Sequence, residues 1–175
     1  GSLYRNPTGV VFGDLDGLEK VYIGPDVKDL GYHGFSDCKN LKEVTLENGS
    51  YDTIGMTTFS GCISLTTIEI PDNIKSIGSW AFSETGISDI DLNQVETLSE
   101  GVLSYCKNLT SIKMDNVTSI GQGGFIGCDS LKEIVFPPKL KEIGSDILWN
   151  LPSLEKVTVT GAETVFDGGM ADDCK

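Results

Sequence analysis

The chain has 175 residues, 39% of them apolar, and its 13 basic against 26 acidic side chains leave a net charge of −13. That length suffices for one domain with a sizeable core, and the charge argues against nucleic acid and anionic lipid surfaces as partners. No apolar run approaches the roughly 18 residues of a membrane-spanning helix, and the sequence opens on Gly1 and Ser2 rather than Met, so a signal or anchor segment is expected to lie outside it.

Residues 1–17 end in "VVFGDLDG", which reads as the back half of a coil whose strand is missing. From Leu18 a repeating unit starts, reopening at Leu41, Leu65, Ile87, Leu109, Leu131 and Leu154, at intervals of 23, 24, 22, 22, 22 and 23 residues. The repetition is close: "IGMTTFSGCISLTTIEIP" (54–71) and "IGQGGFIGCDSLKEIVFP" (120–137) agree at nine of eighteen positions without a gap. A period of about 20–29 residues predicts a leucine-rich-repeat solenoid. One coil cannot bury its own apolar face, so neighbours must cover it.

Each unit opens on a strand signal. In "LKEVTL", "LTTIEI", "ISDIDL", "LTSIKM", "LKEIVF" and "LEKVTV" the fourth and sixth residues are apolar and the residues between them mostly polar, the period of a half-buried strand. One strand per coil is expected, about seven in a single parallel sheet, with Pro25, Pro71 and Pro137 ending strands just beyond them. A glycine slot follows at Gly31, Gly55, Gly78, Gly121 and Gly144, where left-handed geometry or crowding between coils disfavours a Cβ. Next comes a ladder of large apolar residues, Phe12, Phe35, Phe59, Phe82, Leu103, Phe125, Leu148 and Met170, expected to fill the middle of the solenoid with stacked rings. The segments around the ladder are too short for stable helices and predict helical or 3₁₀ turns. Residues 18–165 carry the repeats; 166–175 begin to break the pattern.

The pattern IPxxVxxIGxxAFxxCxxL, as in "IPDNIKSIGSWAFSETGISDIDL", resembles the BspA-type leucine-rich repeat of bacterial surface proteins. The resemblance covers Leu18 to Val165. It implies an α/β, right-handed, horseshoe-like solenoid, an extracellular or cell-surface setting, and a non-enzymatic role in adhesion or protein binding. It carries no catalytic residues, metal or cofactor. The slot read as equivalent to the usual asparagine ladder holds Asp26, Gly49, Asn73, Val95, Val117 and Lys139, of which only Asn73 fits.

The residues that could carry chemistry are few. Cys38, Cys62, Cys106 and Cys128 recur three residues after the ladder position, where other units hold Thr85 and Leu151; a slot that accepts Leu is apolar, so buried free thiols are expected. Disulfides between adjacent coils, Cys38 with Cys62 and Cys106 with Cys128, are the alternative, and a zinc site is disfavoured because His33 is the sole histidine and no CxxC pair occurs. Cys174 lies off the ladder and is expected to be exposed. His33 reads as a surface residue.

The outward strand positions form two columns: Lys20, Glu43, Thr67, Asp89, Ser111, Glu133, Lys156, and Tyr22, Thr45, Glu69, Asp91, Lys113, Val135, Thr158. Their bland reading is a solvated sheet face. The sharper one is a binding surface for a cationic partner through Tyr22, Glu43, Glu69, Asp89, Asp91 and Lys113, with calcium and carboxylate-pair hydrolysis as further readings. Trp149 and Ile126, in slots that elsewhere hold serine, form a second candidate patch; Trp80 stands where Thr57, Gly123 and Asp146 stand elsewhere. The sequence therefore predicts a binding or adhesion module for a protein or glycan ligand. An acid-residue hydrolase and a structural spacer are the competing readings, and end-to-end self-association is open because neither end shows a dedicated cap.

Overall fold

The structure, a computed structural model, describes residues 12–161. The first eleven residues, Met170, Cys174 and the C-terminal end 166–175 lie outside the described residues. The chain winds as six coils, beginning at Leu18, Leu41, Leu65, Ile87, Leu109 and Leu131, with a seventh opened at Leu154. Its strands are β1 (Lys20–Ile23), β2 (Glu43–Leu46), β3 (Thr53–Ile54), β4 (Ser76–Ile77), β5 (Asp89–Asp91), β6 (Thr97–Leu98), β7 (Ser111–Lys113), β8 (Ser119–Ile120), β9 (Glu133–Phe136), β10 (Glu142–Ile143) and β11 (Lys156–Val159). All pair in parallel, and no helix occurs among the described residues. The fold is a parallel β-solenoid, so the α/β expectation is corrected.

Coils 2, 4, 5 and 6 each lay down two strands where one was expected. The second comes from the VxxIG half of the unit, and these strands make the continuous sheet, in the order β10-β8-β6-β4-β3. Each is two residues long, too short for a period of two to show in the sequence. Its inward residue is buried, as at Ile54, Ile77 and Leu98. The face read from the sequence is instead divided into three pairs, β1-β2, β5-β7 and β11-β9. The segment 65–70 of coil 3 forms no strand, and among the described residues none of the backbone N–H groups of 66–70 donates a hydrogen bond. This interruption falls next to the longest unit, the 24 residues between Leu41 and Leu65.

The ladder occupies the core as expected. Phe59, Phe82, Leu103 and Phe125 are fully buried, and the rings of Phe12, Phe35, Phe59 and Phe82 stack in series at 5.4, 5.6 and 5.6 Å between centroids. The stack stops where Leu103 replaces a ring. In the glycine slot crowding is the dominant cause: a Cβ on Gly55 would stand 2.0 Å from the Gly31 carbonyl oxygen and one on Gly144 2.3 Å from the Gln122 nitrogen.

The turns around the ladder are not 3₁₀ helices. The residues two before and two after each ladder position are left-handed, among them His33 and Asp37, Thr57 and Gly61, Trp80 and Glu84, Gly101 and Tyr105, and a left-handed residue on each side stops any helix. The N–H of the ladder residue then donates across to the next coil, as from Phe59 to the Ala81 oxygen at 2.9 Å and from Phe82 to the Val102 oxygen at 3.0 Å. Left-handed geometry is costly for Thr57 and Trp80; they are held in it by the same cross-coil bonds, Thr57 to Ser79 at 2.9 Å and Trp80 to Glu100 at 2.8 Å. His33 is exposed, as expected, with its Nδ1 2.5 Å from the Thr57 hydroxyl.

The four ladder cysteines are free and buried. Each thiol lies against the carbonyl of the ladder residue one coil back: Cys38 to Phe12 at 3.1 Å, Cys62 to Phe35 at 3.2 Å, Cys106 to Phe82 at 3.0 Å and Cys128 to Leu103 at 3.2 Å. The slot is thus a weak internal donor; Thr85, its occupant in coil 3, instead donates within its own coil, to the Phe82 oxygen at 2.9 Å, and its hydroxyl lies 3.2 Å from the Cys106 thiol. Burial pushes the thiol of Cys62 up to about 12 and that of Cys106 up to about 11. Both cysteines are protonated in folded and unfolded chains below the ordinary thiol value of 9.0; above it the unfolded chain ionises first, so stability falls as pH rises from there towards 11–12. We expect the denaturant midpoint to fall between pH ~8 and ~10.5, and Cys62→Ala to flatten that fall; an unchanged slope in the variant would refute the assignment. Thiol titration should find these four unreactive in the native protein and all five cysteines of the chain reactive after unfolding without reductant.

Candidate functional site

The outward columns of the strand face have the expected register. Lys20 stands opposite Glu43, Asp89 opposite Ser111, Asp91 opposite Lys113 and Lys156 opposite Glu133. Three of these juxtapositions are ion pairs: Lys20–Glu43 at 2.6 Å, Lys113–Asp91 at 3.4 Å and Lys156–Glu133 at 2.5 Å. The Lys20 ammonium is held above its ordinary value first by its hydrogen bond to Glu43 and then by that carboxylate's charge. All three pairs are exposed, so solvent screens them and they add little to stability.

An open groove of about 790 Å³ occupies this face where the sheet is interrupted. Glu43 of coil 2, Glu69 of coil 3, and Asp89 and Asp91 of coil 4 all line it, so the structure brings together four of the six residues singled out from the sequence. Tyr22, 67% exposed on β1, and Lys113 on β7 stand one strand beyond it on either side. The four carboxylates are not equivalent. Glu43 and Asp91 carry lysine partners, whereas Glu69 and Asp89 have no ion-pair partner among the described residues. Among the described residues Asp89 accepts only the Ser88 hydroxyl, at 3.0 Å. Thr67, Asp72, Asn93 and Gln94 also line it, as does Lys42, whose ammonium pairs with Glu19 at 3.3 Å.

Beside the groove runs a partial column of side-chain donors, two of whose four members, Gln94 and Asn116, lie one residue before the slot read from the sequence. Asn73 bonds the Tyr51 oxygen, Gln94 the Ile70 oxygen at 2.6 Å, Asn116 the Asn93 oxygen at 2.6 Å, and Lys139 the Asn116 side-chain oxygen at 2.5 Å. These residues immediately precede Ile74, Val95, Val117 and Leu140. Counting from the strand finds Asn73 and Lys139 but lands one residue late in coils 4 and 5, on Val95 and Val117, because the gap from strand to this slot varies; counting back from the buried apolar position finds Gln94 and Asn116 as well. The Gln94 bond takes the carbonyl that a strand partner of coil 3 would use.

The second patch is only partly as expected. Trp149 is 44% exposed and Trp80 40% exposed, but Ile126 is half-buried. The serine slot is no sign of exposure, since Ser83 and Ser104 in it are buried with their hydroxyls 3.0 Å apart.

Against known proteins, the model of the BspA type leucine rich repeat region matches residues 10–116 and 97–174 in six copies. A crystal structure of a leucine-rich repeat protein from Bacteroides ovatus ATCC 8483 is similar with a TM-score of 0.72 and 28% identity, over 81% of this chain and 37% of that one. Sporulation-specific protein 22 of Saccharomyces cerevisiae is 31% identical over 119 residues, 66% of this chain and 25% of the yeast protein. A leucine rich cell surface protein of Faecalibacterium prausnitzii A2-165 aligns more loosely, with a TM-score of 0.39 and 20% identity over 86% of this chain and 64% of that one. This chain thus spans a quarter of its yeast relative and about a third of the Bacteroides structure. With the repeat matched over nearly its whole length, and its parallel coils, phenylalanine ladder and crowded glycines accounting for that repeat physically, the chain belongs to the BspA-type leucine-rich repeat family.

Proposed function

We propose that the chain is a non-enzymatic binding or adhesion module of a bacterial surface or secreted protein, and that its strand face holds a basic partner at the groove of coil 3. The observation that carries this reading is the pair of carboxylates Glu69 and Asp89, which line an open groove without a cationic partner while their neighbours Glu43 and Asp91 have one. A net charge of −13 favours encounter with a basic surface. The family supports the extracellular setting.

The test is a binding screen of the protein against extracellular host proteins, followed by charge reversal. A partner using this groove should lose affinity as salt rises, because screening shortens such attraction to about 8 Å at physiological ionic strength. Glu69→Lys together with Asp89→Lys should weaken binding at least ~10-fold while leaving the unfolding midpoint unchanged or slightly raised. Full affinity in the double variant would remove the groove from the interface.

A further inference from the structure

A second open hollow, of about 550 Å³, is lined by Ile63, Glu84, Thr85, Gly86, Tyr105, Lys107 and Asn108, none of which lines the strand-face groove. Its origin is a deletion. In coils 1, 2, 4, 5 and 6 two residues separate the cysteine slot from the leucine that opens the next strand, as Ile63-Ser64 and Lys107-Asn108 do; coil 3 has Gly86 alone between Thr85 and Ile87. The solenoid wall is therefore notched at coil 3, between Ile63 of coil 2 and the Tyr105, Lys107 and Asn108 side chains of coil 4. Gly86 is buried at this step, and it must be glycine because a Cβ there would stand 2.4 Å from the Ile63 carbonyl oxygen.

The notch presents two apolar surfaces and a polar rim. Ile63 is 59% exposed and Tyr105 44% exposed, an unusual outlay of apolar surface for side chains that face each other across a cavity. The tyrosine ring packs against the neighbouring coil. Tyr105 is left-handed, with φ 59°, and its ring is laid along Gly127 of coil 5, where a Cβ would come within 2.6 Å of Cδ1. The Cδ1–Cε1 edge of the ring thus lies close over the Gly127 backbone, and the side chain lines the notch. Glu84, Lys107 and Asn108 are exposed, with no ion pair among the described residues, and they supply an acceptor, a donor and an amide that is both.

An aromatic ring packed beside Gly127, in one hollow with an exposed aliphatic side chain and edged by hydrogen-bonding groups without ion pairs among the described residues, matches a ligand whose rings are apolar on their faces and hydroxylated at their edges. The cavity is of the size at which small ligands are held. We propose that this notch binds the terminal pyranose of an oligosaccharide: Tyr105 carries the apolar face of the sugar, Ile63 closes the other side, and Glu84, Lys107 and Asn108 bond its hydroxyls. This binding is independent of the strand-face groove.

The test uses the full chain, amide-resolved NMR and three disaccharides, lactose, cellobiose and mannobiose, each titrated to about 50 mM, which reaches dissociation constants in the millimolar range. At least one should shift the amides of Ile63, Gly86, Tyr105 and Lys107. Tyr105→Asn, a residue that tolerates the left-handed conformation, should weaken binding at least ~10-fold, whereas Tyr105→Phe should retain it. An unchanged thermal midpoint in both variants certifies the fold. Absence of shifts with all three sugars, shifts confined to the strand-face groove around Glu69 and Asp89, or unchanged binding by Tyr105→Asn would each overturn the proposal.

Discussion

Phe82→Ala should lower the stability of the protein by about 3–5 kcal/mol, the range for removing a fully buried ring from a packed core. Phe82 is wholly inaccessible and its ring lies 5.6 Å from that of Phe59, so truncation opens a void between coils that Phe59 cannot fill without leaving its stack on Phe35. At about 2–4 °C per kcal/mol for a chain of this size, the thermal midpoint should fall by roughly 6–20 °C. Asp89→Ala, on the exposed strand face, should change stability by no more than about 0.5 kcal/mol. Denaturant melts of the two variants side by side decide the matter; equal midpoints would mean that the inward and outward registers have been interchanged.

Gly55→Ala should be the most damaging change of a single methyl group. The added Cβ would fall 2.0 Å from the Gly31 oxygen and 2.9 Å from its carbonyl carbon, and both atoms are backbone, so no side chain can swing aside. Coils 1 and 2 must separate or the turn must move, at a cost of about 3 kcal/mol, the upper end of overpacking. The slot is not confined to glycine as such, since coil 4 carries Ser99 there; what excludes a Cβ at Gly55 is the particular approach of Gly31. Gly17→Ala is the control. Nothing lies within 4 Å of its Cβ position, and the variant should melt within about 0.5 kcal/mol of the parent. A Gly55→Ala protein as stable as Gly17→Ala would show that the coils are not stacked this closely.

Much of the solenoid was legible because repetition multiplies a weak local signal. A single LxxIxI is ambiguous between a strand and part of a buried helix, but several in one register assign inward residues such as Leu41, Leu65 and Ile87, outward residues such as Glu43 and Asp89, and the ring ladder from Phe35 to Phe125. Burial of Cys38, Cys62, Cys106 and Cys128 followed from the same comparison, since the slot also takes Leu151. The order of the outward columns was likewise set by the period, and the structure pairs Lys20 with Glu43 and Asp91 with Lys113 in that order.

Other features depend on contacts between coils that no unit carries by itself. The strands from the VxxIG half of coils 2 to 6 are only two residues long and exist because Ile54, Ile77, Leu98, Ile120 and Ile143 stack over one another. The division of the first face at coil 3 reflects a change in backbone pairing, which side-chain pattern does not report. Which carboxylates lack a partner was equally hidden: the columns list Glu43, Glu69, Asp89 and Asp91 alike, but only the three-dimensional reach of Lys20 and Lys113 separates the neutralised pair from Glu69 and Asp89. The notch at coil 3 has a visible cause in the sequence, the single Gly86 where other units have two residues. Its walls do not, because Ile63 and Tyr105 lie 42 residues apart in the numbering and come to line one hollow only when the coil between them is one residue short. Sequence by itself determined the period, the inward and outward sets and the family; tertiary structure decided the pairing of backbone and charge across coils, because those energies depend on distances that recur only once the solenoid is wound.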